Sequence, residues 1–179
     1  MNRKIYQEVV RLLPRLRRYA IGLAGSVEMA DDLVQEACAR LLDSNKSQEP
    51  YLDRWMYRTI RNLHVDHVRG CIVADRYRHR LQDGRTHSDG DADLEASLAL
   101  EHVRRLVADL PEEQRSVLLL VGAEGFSYRE AAQILELPIG TITSRLARAR
   151  QRILERVQCE KTPDGNSLSE VGDEERTGT

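Results

Sequence analysis

Aromatic residues are scarce: one Phe, one Trp and six Tyr make up 4% of the 179 residues. Glycine (11) and proline (five) are sparse as well, whereas Leu and Ala are abundant, which argues against a sandwich or barrel built from aromatic strands and frequent turns. Cysteine occurs three times, at Cys38, Cys71 and Cys159, with no CxxC spacing, so reduced thiols are expected in place of a disulfide framework. Long apolar runs are missing. The longest, residues 117–121, is far short of the roughly 20 residues a membrane span needs. Arg11, Arg15, Arg17 and Arg18 interrupt the first 25 residues, leaving no signal-peptide core. These absences predict a cytoplasmic, all-α protein with no membrane insertion.

Lysine is nearly absent too, with three against 24 arginines. Arginine suits bidentate contact with phosphate and guanine, and a GC-rich genome would yield the same bias. The net charge of -2 hides an uneven distribution. Residues 1–80 carry fifteen Lys and Arg against ten Asp and Glu. Residues 81–99 and 159–179 are each acidic by four charges. The polar, Gly- and Asp-rich segment 82–93 has no apolar period and is expected to be a linker. The tail from about Thr162 has the composition of a disordered segment. Two helical units are predicted between them, at about 2–75 and 94–158.

In the first unit Ile5, Val9, Leu12, Leu16, Tyr19 and Leu23 recur at helical spacing, with a break or kink expected at Pro14. A second helix starts from Ser26 as N-cap and a third spans 51–70. The second unit predicts helices at 94–109, 111–123, 127–137 and 140–158. Pro111 suits a first helical turn and Gly125 a stop. Ser127 and Glu130 have the spacing of a capping box.

Turning 100° per residue, the last helix gathers Ile142, Leu146, Ala149, Ile153 and Val157 into one apolar stripe. Arg145, Arg148, Arg152 and Arg156 fall on the opposite side, with Ser144 beside them. A helix that packs on its predecessor across the short turn 137–140 and presents arginines outward is a helix-turn-helix with its recognition helix. A solvated face usually mixes signs, but residues 139–157 carry five Arg and one Glu. Arg145 and Arg148 are the candidate base or phosphate contacts and Arg152 a backbone contact. Thr141, Thr143 and Ser144 line the helix start.

On the third helix Arg58, Arg61 and Arg69 share a stripe with Arg54, and Trp55, Asn62 and Asp66 lie to one side. An arginine row flanked by an indole and an amide suits unstacked single-stranded nucleic acid, although Trp55 also fits a core position. His64, His67 and Cys71 share a face, but no fourth ligand accompanies them, so a core histidine and an inert thiol are expected and no metal. On the second helix Asp31, Asp32, Gln35 and Glu36 form an acidic patch near the helix start. The helix dipole accounts for part of it, and a basic protein partner for the rest.

With these pieces assembled, the chain resembles the bacterial RNA polymerase sigma factors of the sigma-70 family, extracytoplasmic-function (ECF) type, over about residues 8–157. Ala30-Asp-Asp-Leu-Val-Gln-Glu-Ala is similar to the family's core-binding segment, which implies that Asp31, Asp32, Gln35 and Glu36 face the β′ clamp helices. The stretch from Trp55 to Arg69 is similar to the part that melts and reads the −10 element, which assigns Arg58, Arg61, Asn62, Asp66 and Arg69 to it. Leu110-Pro-Glu-Glu-Gln-Arg, Gly125-Phe-Ser-Tyr-Arg-Glu-Ala-Ala and the arginine-rich last helix resemble the −35-reading domain. The resemblance implies a region 2-like domain at 1–75, a linker at 76–97, a region 4-like domain at 98–158 and an acidic tail at 159–179. It also implies core polymerase (β′ and β), promoter DNA and an anti-sigma factor as partners. Glu136 departs from the pattern where the family's turn often has Gly, and Thr143 where a basic residue is frequent.

The expected architecture is therefore two small helical domains joined by a flexible polar linker, the second ending in a helix-turn-helix. No P-loop, nucleophile elbow or catalytic carboxylate pair occurs, so neither an enzyme nor a cofactor is expected. The alternatives are a stand-alone helix-turn-helix regulator, which leaves the third helix's arginine row unexplained, and a protein that sequesters a partner through its helices.

Overall fold

The computed structural model describes residues 3–43, 51–78 and 94–160, and these are helical apart from short turns. Helices α1 (Arg3–Ala24), α2 (Val27–Asp43) and α3 (Leu52–Arg78) form the first unit. Helices α4 (Leu94–Ala108) and α5 (Glu112–Leu118), a π-helical segment (Leu119–Ala123), α6 (Tyr128–Leu135) and α7 (Ile139–Glu160) form the second. No helix among the described residues is long and apolar enough to cross a membrane.

Three boundaries differ from the expected ones. Helix α1 runs through Pro14 as a single helix. Pro14 is on the exposed side, open to solvent, while Leu16, Tyr19, Ala20 and Leu23 are buried and hold the helix together. Helix α3 continues past Gly70 to Arg78, whereas α4 begins at Leu94 as expected. The expected acidic tail lies outside the described residues, except that α7 continues to Glu160. Finally, the predicted helix ending at Ala123 changes from α to π geometry at Leu119.

The expected capping box is present. Glu130 donates its amide to Ser127 Oγ at 3.3 Å, and Ser127 returns its own amide to the Glu130 carboxylate at 2.9 Å. Gly125 stops the preceding segment with φ +77°, and the Phe126 amide reaches back to the Leu120 carbonyl at 3.0 Å. Ile142, Leu146 and Ala149 are fully buried beneath the helix-turn-helix, as the apolar stripe requires. Truncating Leu146 to alanine there would cost about 2–5 kcal/mol.

The two units share one hydrophobic cluster, which runs from α1 to α3 into Val117, Leu120, Phe126 and Ile134. Tyr57 lies at its centre, edge-on to Tyr19 of α1 and to Phe126 of the second unit, both at 5.0 Å between centroids. Gly22 of α1 matters for this seam: a Cβ there would lie 2.7 Å from Leu119 Cδ2, so any larger residue requires the Leu119 side chain to shift.

Candidate nucleic-acid interface

Helix α7 separates its two faces cleanly. Arg148, Arg150 and Arg152 are exposed; Arg148 and Arg152 point away from buried Ile142, Leu146 and Ala149, and Arg150 flanks that stripe. Thr143 and Ser144 are exposed ahead of them. Thr143 Oγ1 donates to the Ile139 carbonyl at 3.1 Å and Ser144 Oγ to the Thr141 carbonyl at 3.0 Å, leaving hydroxyl lone pairs directed outward as acceptors. Thr141 is half-buried. Arg145 is drawn inward: it is paired with Glu113 at 2.7 Å and largely covered, so its guanidinium is held in place rather than free to swing. Arg156 reaches Asp109 at 3.2 Å, nearer the helix C-terminus.

On α3, Asn62, Asp66 and Arg69 are exposed, and Trp55 is buried in the core. His64 is buried and His67 exposed, so the two histidines do not share a surface. Burial, followed by the nearby Arg115, His67 and Arg61, pushes the His64 pKa down to about 4, so its imidazole is neutral near pH 7.

The upper part of the arginine row faces the second unit. Arg54 bonds Gln133 and pairs with Glu130 at 2.9 Å, and its guanidinium lies 4.3 Å from the Tyr51 ring centroid. Arg58 meets Glu136 at 2.7 Å and Arg61 meets Glu112 at 3.2 Å. The Ser127 hydroxyl and amide, and then Arg54, hold the Glu130 carboxyl below its usual range.

A further site has little signature in the sequence. The Glu124 carboxylate is completely buried between the units and accepts bonds from Tyr57 Oη at 2.6 Å, Arg18 at 2.9 Å and Arg15 at 3.1 Å. Arg15 also donates to the Glu124 carbonyl at 2.7 Å. A buried carboxylate is tolerated only with such compensation. Its one visible signal was an acid set among Leu120, Val121 and Phe126 and flanked by two glycines, a place where a solvent-facing charge is out of pattern. Arg115 secures the other end of the seam by donating to the Leu23 carbonyl at 2.6 Å.

On α2, Asp32, Gln35 and Glu36 are exposed, while Leu33 and Val34 are buried. Asp31 stands apart from its neighbours: Arg17 donates to both of its oxygens, at 2.6 and 3.0 Å, which holds its carboxyl below the usual range. Glu36 accepts from Arg40 at 2.8 Å on the same exposed side.

Two family models match this chain: Sigma-70 region 2 over residues 9–70 and Sigma-70, region 4 over residues 100–153. The chain is 36% identical over 156 residues to the ECF RNA polymerase sigma factor EcfG of Rhodopseudomonas palustris (strain TIE-1), covering 82% of this chain and 81% of that protein. It is 34% identical over 141 residues to the ECF RNA polymerase sigma factor SigC of Mycobacterium tuberculosis (strain CDC 1551 / Oshkosh), covering 75% and 73%. The sigma factor RpoE of Bartonella quintana, crystallised with the anti-sigma factor NepR, is similar at TM-score 0.72 and 31% identity, over 88% of this chain and 98% of that one. The chain therefore belongs to the sigma-70 family of RNA polymerase sigma factors, ECF type.

Proposed function

We propose that the two units divide the work of promoter-directed initiation as follows. The first unit (1–75) docks on the core polymerase β′ clamp helices through Asp31, Asp32, Gln35 and Glu36, and takes the opened −10 strand on Arg58, Arg61, Asn62, Asp66 and Arg69. The second unit (98–158) reads the −35 duplex with Thr141, Thr143, Ser144, Arg145, Arg148 and Arg152, aided by contact with the β subunit. Residues 76–97 cross between them. Opening the duplex costs a few kcal/mol per unstacked base, and capture of the separated strand compensates for it, so no catalytic group is needed.

The observation that supports this reading best is the exposed side of α7, where Arg148, Arg150 and Arg152 follow a Thr-Ser start and a buried apolar stripe lies beneath. Action with core polymerase puts the protein in the cytoplasm. The Bartonella quintana relative was solved bound to an anti-sigma factor, and by that likeness this chain too is held in check by such a partner.

Run-off transcription tests the proposal. Purified core polymerase is supplied with pooled promoter DNA, with and without the chain. Defined starts that require the chain are expected. DNA retention without polymerase, and no new starts, would point to a stand-alone regulator instead.

A further inference from the structure

Two adjacent glutamates open α5, where carboxylates suit the positive end of the helix, and they serve different partners. Glu112 meets Arg61 of the first unit at 3.2 Å, whereas Glu113 meets Arg145 of α7 at 2.7 Å. Helix α5 packs on α7. Val117, one turn on from Glu113, is fully buried in the same cluster as Ile142 and Leu146. Both partners of the Glu113–Arg145 pair therefore project from firmly packed backbone.

This pair sorts the arginines of α7 into two kinds. The Arg145 side chain is only 19% exposed, whereas Arg148, Arg150 and Arg152 are open and have no ion-pair partner among the described residues. Arg145 is also the first arginine of the helix, and the N-terminal part of a recognition helix is the part that meets base edges. An arginine already ordered gives up less rotamer freedom when it binds than one that is free. A free arginine can also follow any phosphate within reach, whereas a held one meets a single position. Resting on the −35 reading above, we infer that Glu113 is a positioning residue for sequence specificity, holding the Arg145 guanidinium against one base edge of the −35 duplex. A carboxylate on Nη2 still leaves one donor edge of the guanidinium open, and guanine O6 and N7 are the acceptors such an edge fits.

Glu113 also acts through its charge. Its side chain is 62% exposed beside Arg145, so a duplex approaching this part of α7 meets a negative group there. That repulsion lowers affinity for every sequence alike. The two effects are thus separable: the charge of Glu113 sets overall affinity, and its hold on Arg145 sets discrimination. The other carboxylate on this helix's arginines, Asp109 on Arg156 at 3.2 Å, lies towards the helix C-terminus with both side chains at least half exposed, and it fixes no comparable reader.

The test uses the full chain with core polymerase and promoter fragments found by run-off transcription, each −35 position replaced in turn by the other bases. Competition for complex formation ranks the fragments. Arg145→Ala identifies the position that Arg145 reads, where discrimination should fall about tenfold. Glu113→Ala should flatten the same position by about five- to tenfold. It should also raise affinity for a scrambled −35 fragment about two- to fivefold, the scale of one exposed charge. Glu113→Gln loses the charge but keeps an oxygen acceptor, so it should raise that affinity equally and retain most of the discrimination. In the Arg145→Ala background, Glu113→Ala should remove nothing further at that position. Full discrimination in Glu113→Ala, or an equal loss at every position, overturns the positioning role and leaves the −35 reading standing. An unaltered profile in Arg145→Ala overturns both, since no reader would then be there to position.

Discussion

The Tyr57 hydroxyl donates to the Glu124 carboxylate at 2.6 Å across 67 residues of sequence, joining α3 to the end of the π segment. The same ring is edge-on to Tyr19 and Phe126, so one side chain serves both the apolar and the ionic part of the seam. Tyr57→Phe keeps the ring contacts and removes only the donor. It should lower stability by about 1.5–3 kcal/mol, the range for a hydrogen bond to a charged group. Urea unfolding measures this, and a loss below about 0.5 kcal/mol would mean that Arg15 and Arg18 satisfy the carboxylate by themselves.

Stability should fall in mild acid through His64. In the fold its pKa is about 4, while the unfolded chain takes up the proton near the ordinary 6.5. Between those values the unfolded state binds more protons, so stability rises with pH there. The contribution is intact above about 6.5 and lost as pH falls to about 4. Urea midpoints of wild type and His64→Leu, measured across that window, should show a slope in wild type that the variant flattens. Parallel curves would remove His64 from the account.

Arg148→Ala should weaken binding to the −35 duplex and reduce the slope of log affinity against log salt by about one, as expected for a lost phosphate contact. Arg145→Ala should lower −35-dependent transcription while sparing core binding, because its pairing with Glu113 fixes it on the DNA-facing unit. Equal loss of transcription and core binding would assign Arg145 a structural role.

Charge reversal at Asp32 should weaken binding to core polymerase at least about tenfold, since like charges across an interface cost several kcal/mol. Asp31→Asn should do less, because Arg17 already holds that carboxylate. Affinity for core measured by fluorescence anisotropy separates the two. Unchanged binding by Asp32→Lys would leave the acidic patch as a helix-start effect.

Local features of this fold were legible from sequence because neighbouring residues determine them. Ser127 and Glu130 lie one turn apart, and Ile142, Leu146 and Ala149 follow the helical period, so both the cap and the buried stripe could be placed in advance. Pro14 predicts a kink on local propensity alone, and the packing of Leu16 and Tyr19 overrides it and keeps α1 continuous. The arginine row was visible on α3, but its partners were not. Glu112, Glu130 and Glu136 lie 51 to 78 positions away from it, and only the docking of the two units brings them together. Glu136 stood out in the turn as a departure from glycine, and its left-handed backbone now gives that oddity a physical setting.

The π geometry of Leu119–Ala123 carries a consequence for the reading frame of the seam. A π turn holds about one residue more than an α turn, equivalent to an insertion in an otherwise regular helix. Deleting one residue from the segment would restore regular α winding and leave Glu124 close to its place, whereas deleting one from the regular helix α5 ahead of it would swing Glu124 by roughly 100° about the helix axis, away from Arg15, Arg18 and Tyr57. A deletion in α5 that preserves every charge should therefore loosen the seam as much as Glu124→Ala does, and a deletion in the π segment should loosen it far less, as thermal unfolding would show. Substitution scans keep the length constant and would pass over it: the position of the latch is encoded in how many residues precede it as well as in which ones they are.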